Sequence, residues 1–247
     1  MSFKVVIPAR YGSARLPGKP LLDIAGKPMV IRVAEQATKS AASEIVIATD
    51  FEKILQVAQD YGIKAVMTRL GHASGTERIA EVAQILGWGD NEIIVNVQGD
   101  EPLIEPNLIN EVAQHLANSQ DAVMATACHA IHDVASMINP NIVKVVMDVN
   151  GNALYFSRAP IPYPRDDAHK TNIQAHRHIG VYAYRVGFLK KYAQLRMAGL
   201  EKIESLEQLR VLHHGYKIGV TVIQNAPACG VDTQEDLDYV RNLFNLE

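Results

Sequence analysis

The chain has 247 residues, of which 21% are charged, and a net charge of -3. This length accommodates one large α/β domain or two small ones, and the composition is that of an ordinary globular protein. The charge favours neither nucleic acid nor an anionic membrane as a partner, so local cations must bind any anionic ligand. The N-terminal apolar run is too short for a signal peptide, no stretch approaches a membrane span, and Cys128 and Cys229 lack metal-ligand spacing. We therefore expect a soluble cytoplasmic protein.

Strands alternate with helices in the first half of the chain. Apolar runs predict strands at 4–9, 44–50, 64–68 and 92–98, and helical spacing predicts helices at 28–40, 51–62, 74–87 and 106–117. This alternation indicates an α/β fold with a Rossmann-like, mostly parallel sheet and helices on both faces. Ligands bind such sheets at the carboxyl ends of the strands. The loop after the first strand and the turn "QGDEP" (98–102) should both lie at that edge.

The pattern changes after residue 120. Strands are predicted at 121–129, 178–185 and 218–224, and "NIVKVVMDVNGNALYFSRAPI" (141–161) reads as two strands joined at Asn150-Gly151, a strong hairpin signal. Residues 160–176 should form a loop, and 200–215 and 232–244 should be helical. We interpret 1–247 as a single domain with an antiparallel excursion at about 122–185. Such an excursion is expected to cover an active site or to form a dimer contact.

The loop after the first strand, "PARYGSARLPGKP" (8–20), contains Arg10, Arg15 and Lys19 and no acid. It lacks the glycine spacing of a dinucleotide-binding loop, and Gly18-Lys19 is followed by Pro20, so the hydroxyl of a Walker loop is missing. Glycines allow backbone N–H groups to approach an anion, arginines bind phosphate in a forked geometry, and lysine supplies a compact charge. These features favour a triphosphate, and the alternative is a solvated basic loop.

Further motifs follow this loop in a fixed order. The series is "PAR-x-x-S-x-RLPGKPL", "SGTER", "NVQGDEP", "ALYFSRAPIP", "HIGVYAYR", "LEKIESLEQLR" and "GVDTQEDL". Together these motifs resemble the 3-deoxy-manno-octulosonate (Kdo) cytidylyltransferases, or CMP-Kdo synthetases, over nearly the whole chain. The resemblance implies a fold of the nucleotide-diphospho-sugar transferase type and a homodimer. It also implies Mg²⁺-dependent formation of CMP-Kdo and pyrophosphate from CTP and Kdo, for lipopolysaccharide biosynthesis.

The resemblance also supplies candidate nucleotide-binding residues. Phosphate charge would be neutralised by the basic loop, with Arg15 and Lys19 acting on the transition state, because cytidylyl transfer depends on positioning and electrostatics. Ser74 begins a capping box with Glu77, which accounts for Ser74 structurally, yet helix N-termini also bind anions and base carbonyls. The predicted nucleotide-binding residues are Arg10, Ser13, Arg15, Lys19, Ser74 and Arg78.

Asp100 and Asp232 are the predicted Mg²⁺ ligands, and Asp100 is also counted with the catalytic residues. A carboxylate at the carboxyl end of a strand is well placed to bind Mg²⁺, although Gly-Asp is also common in turns. Asp232 becomes the second ligand through the resemblance, and its structural alternative is a place beside the capping box of Thr233 and Asp236. Glu101 is the weaker candidate.

The acceptor is a sugar acid, so its site needs a cation for the carboxylate and hydrogen-bonding partners for the hydroxyls. The resemblance assigns the cation to Arg158. It assigns the hydrogen-bonding partners to Gln98, His178, Tyr182, Glu207 and Gln208. From the residues alone, His178 could be an ordinary strand-end histidine and Tyr182 a core residue. Glu204 and Glu207 are expected on one face of an amphipathic helix.

Other functions stay open on the sequence. A sialic acid or 8-amino-Kdo cytidylyltransferase would differ only in the sugar pocket. A regulatory module that binds nucleotide without chemistry would keep the basic loop but would need neither paired metal acids nor a cation for a sugar carboxylate. A dehydrogenase is disfavoured because the dinucleotide-binding pattern is absent.

Overall fold

The computed structural model describes residues 2–12, 16–72, 74–166, 174–228 and 230–246, so the predicted site residues Ser13 and Arg15 lie outside the described residues. Its helices are Met29–Thr38 (α1), Glu52–Asp60 (α2), Gly75–Ile85 (α3), Pro106–Asn118 (α4), Val134–Ile138 (α5), Val186–Tyr192 (α6), Gly199–Glu204 (α7), Gln208–His213 (α8) and Gln234–Phe244 (α9). Within these ranges, no helix combines the length and the apolar character needed to cross a bilayer.

The strands are Lys4–Ala9 (β1), Asp23–Ile24 (β2), Lys27–Pro28 (β3), Glu44–Thr49 (β4), Lys64–Met67 (β5), Ile93–Asn96 (β6), Ala122–Ile131 (β7), Lys144–Met147 (β8), Ala153–Ser157 (β9), Ala175–Arg185 (β10) and Lys217–Ile223 (β11). The main sheet has the order β11-β7-β10-β6-β1-β4-β5, and the hairpin β8–β9 attaches to β10. Strand β1 pairs in parallel with β4 and β6, whereas β10 is antiparallel to β6, β7 and β8. The predicted α/β fold is confirmed.

Alternation along the buried strands builds a core on each face of the sheet. In β1, Val5 and Ile7 pack in one apolar cluster, and the intervening Val6 packs in another. The same division places Val95 in the first cluster and Ile94 in the second. Because successive strand residues point to opposite faces, a continuous apolar run is required where helices cover both faces.

The second half of the chain departs from the predicted boundaries in two places. Strands β7 and β10 belong to the main sheet, so that only the hairpin β8–β9 lies outside its order. The single helix predicted at 200–215 is wrong: α7 ends at Glu204, the next residue, Ser205, has a left-handed φ of 52°, and α8 begins only at Gln208. The expectation that Glu204 and Glu207 share a helix face is therefore also wrong.

The site end of the sheet follows from this topology. The carboxyl ends of β1, β4 and β6 meet at one edge because these strands are parallel. Since β10 runs the other way, its N-terminal half reaches the same edge, with Tyr182 opposite Asn96 and His178 farther out. Strand β11 is parallel to β7 and delivers the loop that precedes α9 to this edge.

Candidate active site

Asp100 and Asp232 come together although 132 positions separate them in the chain. The backbone N–H of Val231 donates to the carbonyl oxygen of Asp100 at 2.8 Å, which ties the loop before α9 to the turn after β6. A complete capping box fixes the start of α9: the Thr233 hydroxyl accepts the backbone N–H of Asp236, and the Asp236 carboxylate accepts the backbone N–H of Thr233. Both predicted Mg²⁺ ligands therefore lie at the carboxyl edge of the sheet.

Lys19 lies between these two carboxylates. Its Nζ donates to Asp100 Oδ2 at 2.5 Å and to Asp232 Oδ1 at 3.1 Å. The lysine opens a single 3₁₀ turn, Lys19–Leu21, after Gly18, whose φ of 66° favours glycine. A Cβ on Gly18 would also lie 3.2 Å from the ring of Tyr11. This turn places the Lys19 ammonium group beside the two carboxylates at the carboxyl edge of the sheet.

A cavity of about 320 Å³, which we call the central cavity, is lined in part by Lys19, Asp100 and Asp232. Its wall on the β6 side includes Gly99, where a Cβ would lie only 2.8 Å from the carbonyl oxygen of Pro8, so the turn can approach β1 only with glycine. Glycine is the residue used where the backbone must come closer to a neighbouring group than a Cβ allows. The polar and charged lining residues are Arg10, Lys19, Gln98, Asp100 and Asp232.

A second cavity, of about 290 Å³, shares Pro8, Arg10 and Gln98 with the central one and ends at the N-terminus of α3. We call it the helix pocket; its other lining residues are His72, Ser74, Gly75, Arg78 and Glu207. Ser74 Oγ accepts the backbone N–H of Glu77 at 3.3 Å, which supports the predicted cap. A helix N-terminus has backbone N–H groups without intrahelical acceptors and carries the positive end of the helix dipole, so it suits polar or anionic ligand groups.

Glu207, predicted at the sugar end, lies in the helix pocket with the predicted base-site residues. Thr76 Oγ1 donates to Glu207 Oε1 at 2.8 Å, and the hydroxyl of Tyr184 lies 3.2 Å from the same Oγ1. Because the Thr76 proton is used on the carboxylate, Tyr184 is the donor to Thr76. Burial raises the pKa of Glu207, and hydrogen bonds from Thr76 and Ser74 oppose this increase.

Arg78 lines the helix pocket, but its guanidinium is committed to neighbouring protein groups. It is buried, its Nη2 donates to Asp50 Oδ2 at 2.6 Å, and its Nη1 donates to Thr68 Oγ1. Asp50 follows β4 and Thr68 follows β5, so the arginine joins two strand ends to α3. This geometry gives Arg78 a structural task beside the predicted base site.

A third cavity, of about 370 Å³, shares Asp100 and Asp232 with the central cavity, and we call it the far pocket. Its lining includes Asp100, Asp232 and the predicted sugar residue His178. Arg177 and His129 also line it, and sequence reasoning missed both; Arg177 was adjacent to His178 in the motif "HIGVYAYR", but no spacing singled it out.

Glu101, the weaker metal candidate, also lines the far pocket. Burial, followed by the charge of Asp100, raises the pKa of the Glu101 carboxyl to about 8.

His178 has a defined protonation state. Its Nε2 lies 3.0 Å from Thr126 Oγ1, whose single proton is directed to the carbonyl oxygens of Ile179 and Val181 at 2.9 and 2.8 Å. The imidazole must therefore donate from Nε2, which leaves Nδ1 as an acceptor. Burial lowers the pKa of His178 to about 3, so the ring is neutral at physiological pH.

Three predicted sugar residues line none of these three cavities. Tyr182 is buried beside His178, with ring centroids 5.3 Å apart, and burial raises its pKa. Gln208 is buried at the first position of α8. Arg158 is half-buried, and its Nε and Nη1 donate to the carbonyl oxygens of Glu204 and Pro140.

The two carboxylates fit Mg²⁺ only if water and substrate oxygens complete the coordination of the ion. The described residues contain no cluster of three or more His, Cys, Asp and Glu side chains able to hold a metal. Mg²⁺, however, is commonly bound by one or two protein carboxylates together with water and substrate phosphates. Asp100 and Asp232, whose carboxylates converge on one point, meet that requirement.

A mostly parallel sheet, a cation-bearing loop after its first strand and a carboxylate pair at the same edge define a nucleotide-binding α/β protein. The family model described as "Cytidylyltransferase" matches residues 4–218. The chain belongs to the cytidylyltransferase family.

Similar proteins agree with this assignment. The chain is 58% identical to 3-deoxy-manno-octulosonate cytidylyltransferases of Neisseria gonorrhoeae (strain NCCP11945) and Neisseria meningitidis serogroup A, over 98% of this chain and 98% of each relative. A solved CMP:2-keto-3-deoxy-manno-octonic acid synthetase complexed with CTP has a TM-score of 0.92 at 45% identity, covering 99% of this chain and 98% of that one. A cytidylyltransferase from Leptospira borgpetersenii, 15% identical with a TM-score of 0.63 over 100% and 87%, shares the fold. The resemblance to the Kdo cytidylyltransferases that the sequence motifs indicate is confirmed.

Proposed function

We propose that this chain, acting as one nucleotidyltransferase domain, transfers the cytidylyl group of CTP to Kdo and releases pyrophosphate. The observation that carries the proposal is that the central cavity, lined by Lys19, Asp100 and Asp232, shares lining residues with both the helix pocket and the far pocket. A triphosphate laid across this cavity would have its base on one side and its acceptor on the other. The product, an activated sugar acid, suits lipopolysaccharide biosynthesis.

The nucleotide would bind along the helix pocket and the central cavity. Ser74 and the N-terminus of α3 are proposed to contact the cytosine, and Arg10 and Lys19 to contact the phosphates, together with Ser13 and Arg15 of the same loop. Arg78 is proposed to hold the shape of the base site through Asp50. Lys19 is held beside the phosphate-binding cavity by Asp100 and Asp232, and a cation placed there can stabilise the charge that develops on the phosphates in the transition state.

Mg²⁺ is proposed as the cofactor, held by Asp100 and Asp232. When bound, it would supply positive charge to the phosphates. Lys19, which now contacts both carboxylates, is proposed to turn its ammonium group to the phosphate chain, since three rotatable donors on a flexible stem permit that exchange.

The acceptor is proposed to lie on the His178 side of the carboxylate pair. Nδ1 of His178 is an acceptor suited to a sugar hydroxyl, and Gln98 borders the central cavity from the turn after β6. Arg158 is proposed to form an ion pair with the carboxylate of the sugar acid. Tyr182, Glu207 and Gln208 are proposed as further hydrogen-bonding partners, with Glu207 reaching from the helix pocket.

The proposal is tested by incubating the purified chain with CTP, Kdo and Mg²⁺ and measuring pyrophosphate. Turnover with Kdo that exceeds turnover with 8-amino-Kdo and sialic acid supports it, and CTP binding without pyrophosphate release under any sugar acid would establish a non-catalytic module instead. A Mg²⁺ titration of Asp100→Asn and Asp232→Asn tests the shared ion. An unchanged Mg²⁺ dependence in both variants would exclude it.

We also propose that the protein is a cytoplasmic homodimer, following the family resemblance. Sedimentation equilibrium of the full chain would give twice the 27.2 kDa chain mass if this is correct. A monomer across the concentrations used in the activity assay would contradict the dimer without affecting the proposed reaction.

A further inference from the structure

Lys144 is a fully buried lysine at the start of β8. Its Nζ donates to the carbonyl oxygens of Asn139, Ile142 and Arg158 at 3.0, 2.6 and 2.6 Å. An ammonium group has three donors, so all of them are used on backbone oxygens. Burying a cation in this way is costly unless its hydrogen bonds are complete, and here they fix the residue that follows β9.

Glu204 holds the same residue from the other side. Its carboxylate accepts the Ser157 hydroxyl at 2.6 Å and the backbone N–H of Arg158 at 2.9 Å. Its carbonyl oxygen accepts Nε of Arg158 at 2.7 Å. The left-handed turn at Ser205 permits this, because it directs Glu204 toward β9 while Glu207 goes to the helix pocket.

The Arg158 clamp, defined as Lys144, Ser157 and Glu204, therefore fixes both backbone groups of Arg158 and one edge of its guanidinium. A further bond runs from Nη1 to the carbonyl oxygen of Pro140 at 3.0 Å. Among the described residues, Nη2 has no acceptor. An arginine that is already immobilised loses little conformational freedom when it binds an anion, which favours affinity.

The clamp is attached to the strand that carries His178. Lys144 pairs with Arg177 across β8 and β10, and the ring of Phe156 meets the imidazole of His178 edge-on at 5.0 Å. The clamp and its arginine contribute two cations and one carboxylate. Their net charge of about +1 is complementary to a single carboxylate.

We infer that Glu204 and Lys144 are positioning residues that hold the Arg158 guanidinium for the carboxylate of the acceptor sugar acid. This inference rests on the proposed function. Neither residue touches the reacting atoms. Both act through Arg158, so their loss should weaken sugar-acid binding selectively and leave nucleotide binding intact.

The test measures KM for Kdo and KM for CTP with Glu204→Gln. The variant keeps the side-chain shape but removes the charge and replaces one acceptor oxygen with a donor. We expect KM for Kdo to rise about tenfold, the effect of losing a hydrogen bond to a charged group, and KM for CTP to stay within about twofold. Glu92→Gln is the control, because the Glu92 carboxylate likewise accepts one side-chain and one backbone hydrogen bond, from the Lys4 ammonium and the Gly89 N–H, but at the other end of the sheet.

A double-mutant cycle separates positioning from general damage. Glu204→Gln should add almost nothing in an Arg158→Met background, since the group it positions is already absent. Equal effects in both backgrounds, or equal rises in both KM values, would overturn the inference. Lys144→Met should give the same selective rise in KM for Kdo, and an unchanged value would remove Lys144 from the inference.

Two further outcomes are distinguished. If Glu204→Gln does not fold, as judged by thermal unfolding, Ser157→Ala removes one clamp bond and should still raise KM for Kdo more than KM for CTP; no selectivity would contradict the inference. If the wild-type chain itself releases no pyrophosphate from CTP and Kdo, the proposed function fails. Normal wild-type turnover with no coupling between Glu204 and Arg158 rejects only the positioning role.

Discussion

Lys19 Nζ and Asp100 Oδ2 are 2.5 Å apart, although 81 positions separate them in the chain. The contact joins the basic loop after β1 to the turn after β6, and Asp232 completes it at 3.1 Å. An ammonium group between two carboxylates neutralises one of the two negative charges. The site can then accept a further cation together with an anionic phosphate chain without leaving a carboxylate isolated.

Lys19→Ala should fold and lose turnover. Removing one preorganised donor typically lowers the rate by roughly 10²–10³-fold. Initial rates of pyrophosphate release at saturating CTP and Kdo measure the effect, and thermal unfolding checks the fold. Lys39→Ala is the control, because Lys39 is exposed at the end of α1 and bonds only to Gln36 among the described side chains. A well-folded Lys19→Ala enzyme with unchanged turnover would exclude the assigned role.

Arg78→Met should reduce stability as well as CTP binding. The substitution leaves the Asp50 carboxylate, which is largely buried, without its cation, and breaking such a pair costs about 3–5 kcal/mol. Urea denaturation measures the free energy of unfolding. Adding Asp50→Asn to Arg78→Met should recover part of the loss, because the stranded charge disappears. If Arg78→Met alone were as stable as the wild type, Arg78 would have no structural role.

Gly99→Ala should damage catalysis through the backbone. The new Cβ would lie 2.8 Å from the carbonyl oxygen of Pro8, so the turn that carries Asp100 must shift. Misplacement of a catalytic group by about 1 Å can cost about 10²-fold in rate. The kcat/KM for CTP measures the loss. Gly199→Ala, whose Cβ would meet nothing within 4 Å, is the control and should be close to wild type.

His178→Gln should weaken the dependence of the free energy of unfolding on pH in the acid range below pH 6.5. The pKa of His178 in the folded chain is about 3, whereas the ordinary pKa of a histidine is 6.5, so between these pH values the unfolded chain binds a proton that the folded chain does not. The free energy of unfolding therefore rises with pH across this window and loses that contribution as pH falls. The wild-type advantage over the variant should shrink by at most roughly 3 kcal/mol from pH 6.5 to pH 4.

Urea denaturation at several pH values measures the His178 effect. His132→Gln, at an exposed position, is the control and should keep the wild-type slope. Parallel profiles for wild type and His178→Gln would mean that burial does not hold the His178 imidazole neutral.

The sequence predicted the strands of the first half because their apolar runs are long and bounded by clear turn residues. It also predicted the Asn150-Gly151 hairpin, where Gly151 has a φ of 77°. It did not predict the break at Ser205, because helical spacing continues across 200–215 and only tertiary packing selects a left-handed serine. Helices α5 and α6 were missed for a related reason: they are short, and packing against the sheet stabilises them more than local propensity does.

Residue types and their order along the chain established the chemistry that the site can use: a basic loop after a buried strand, acids after two later strands, and the order of motifs that identifies the family. Which of these groups come into contact depends on the tertiary structure. Lys19 reaches Asp100 and Asp232, Glu207 turns to the helix pocket, and Arg158 is held by Lys144 and Glu204. The physical reason is that side-chain pairing depends on strand order and on the direction of β10, and neither is encoded in the local pattern of any segment.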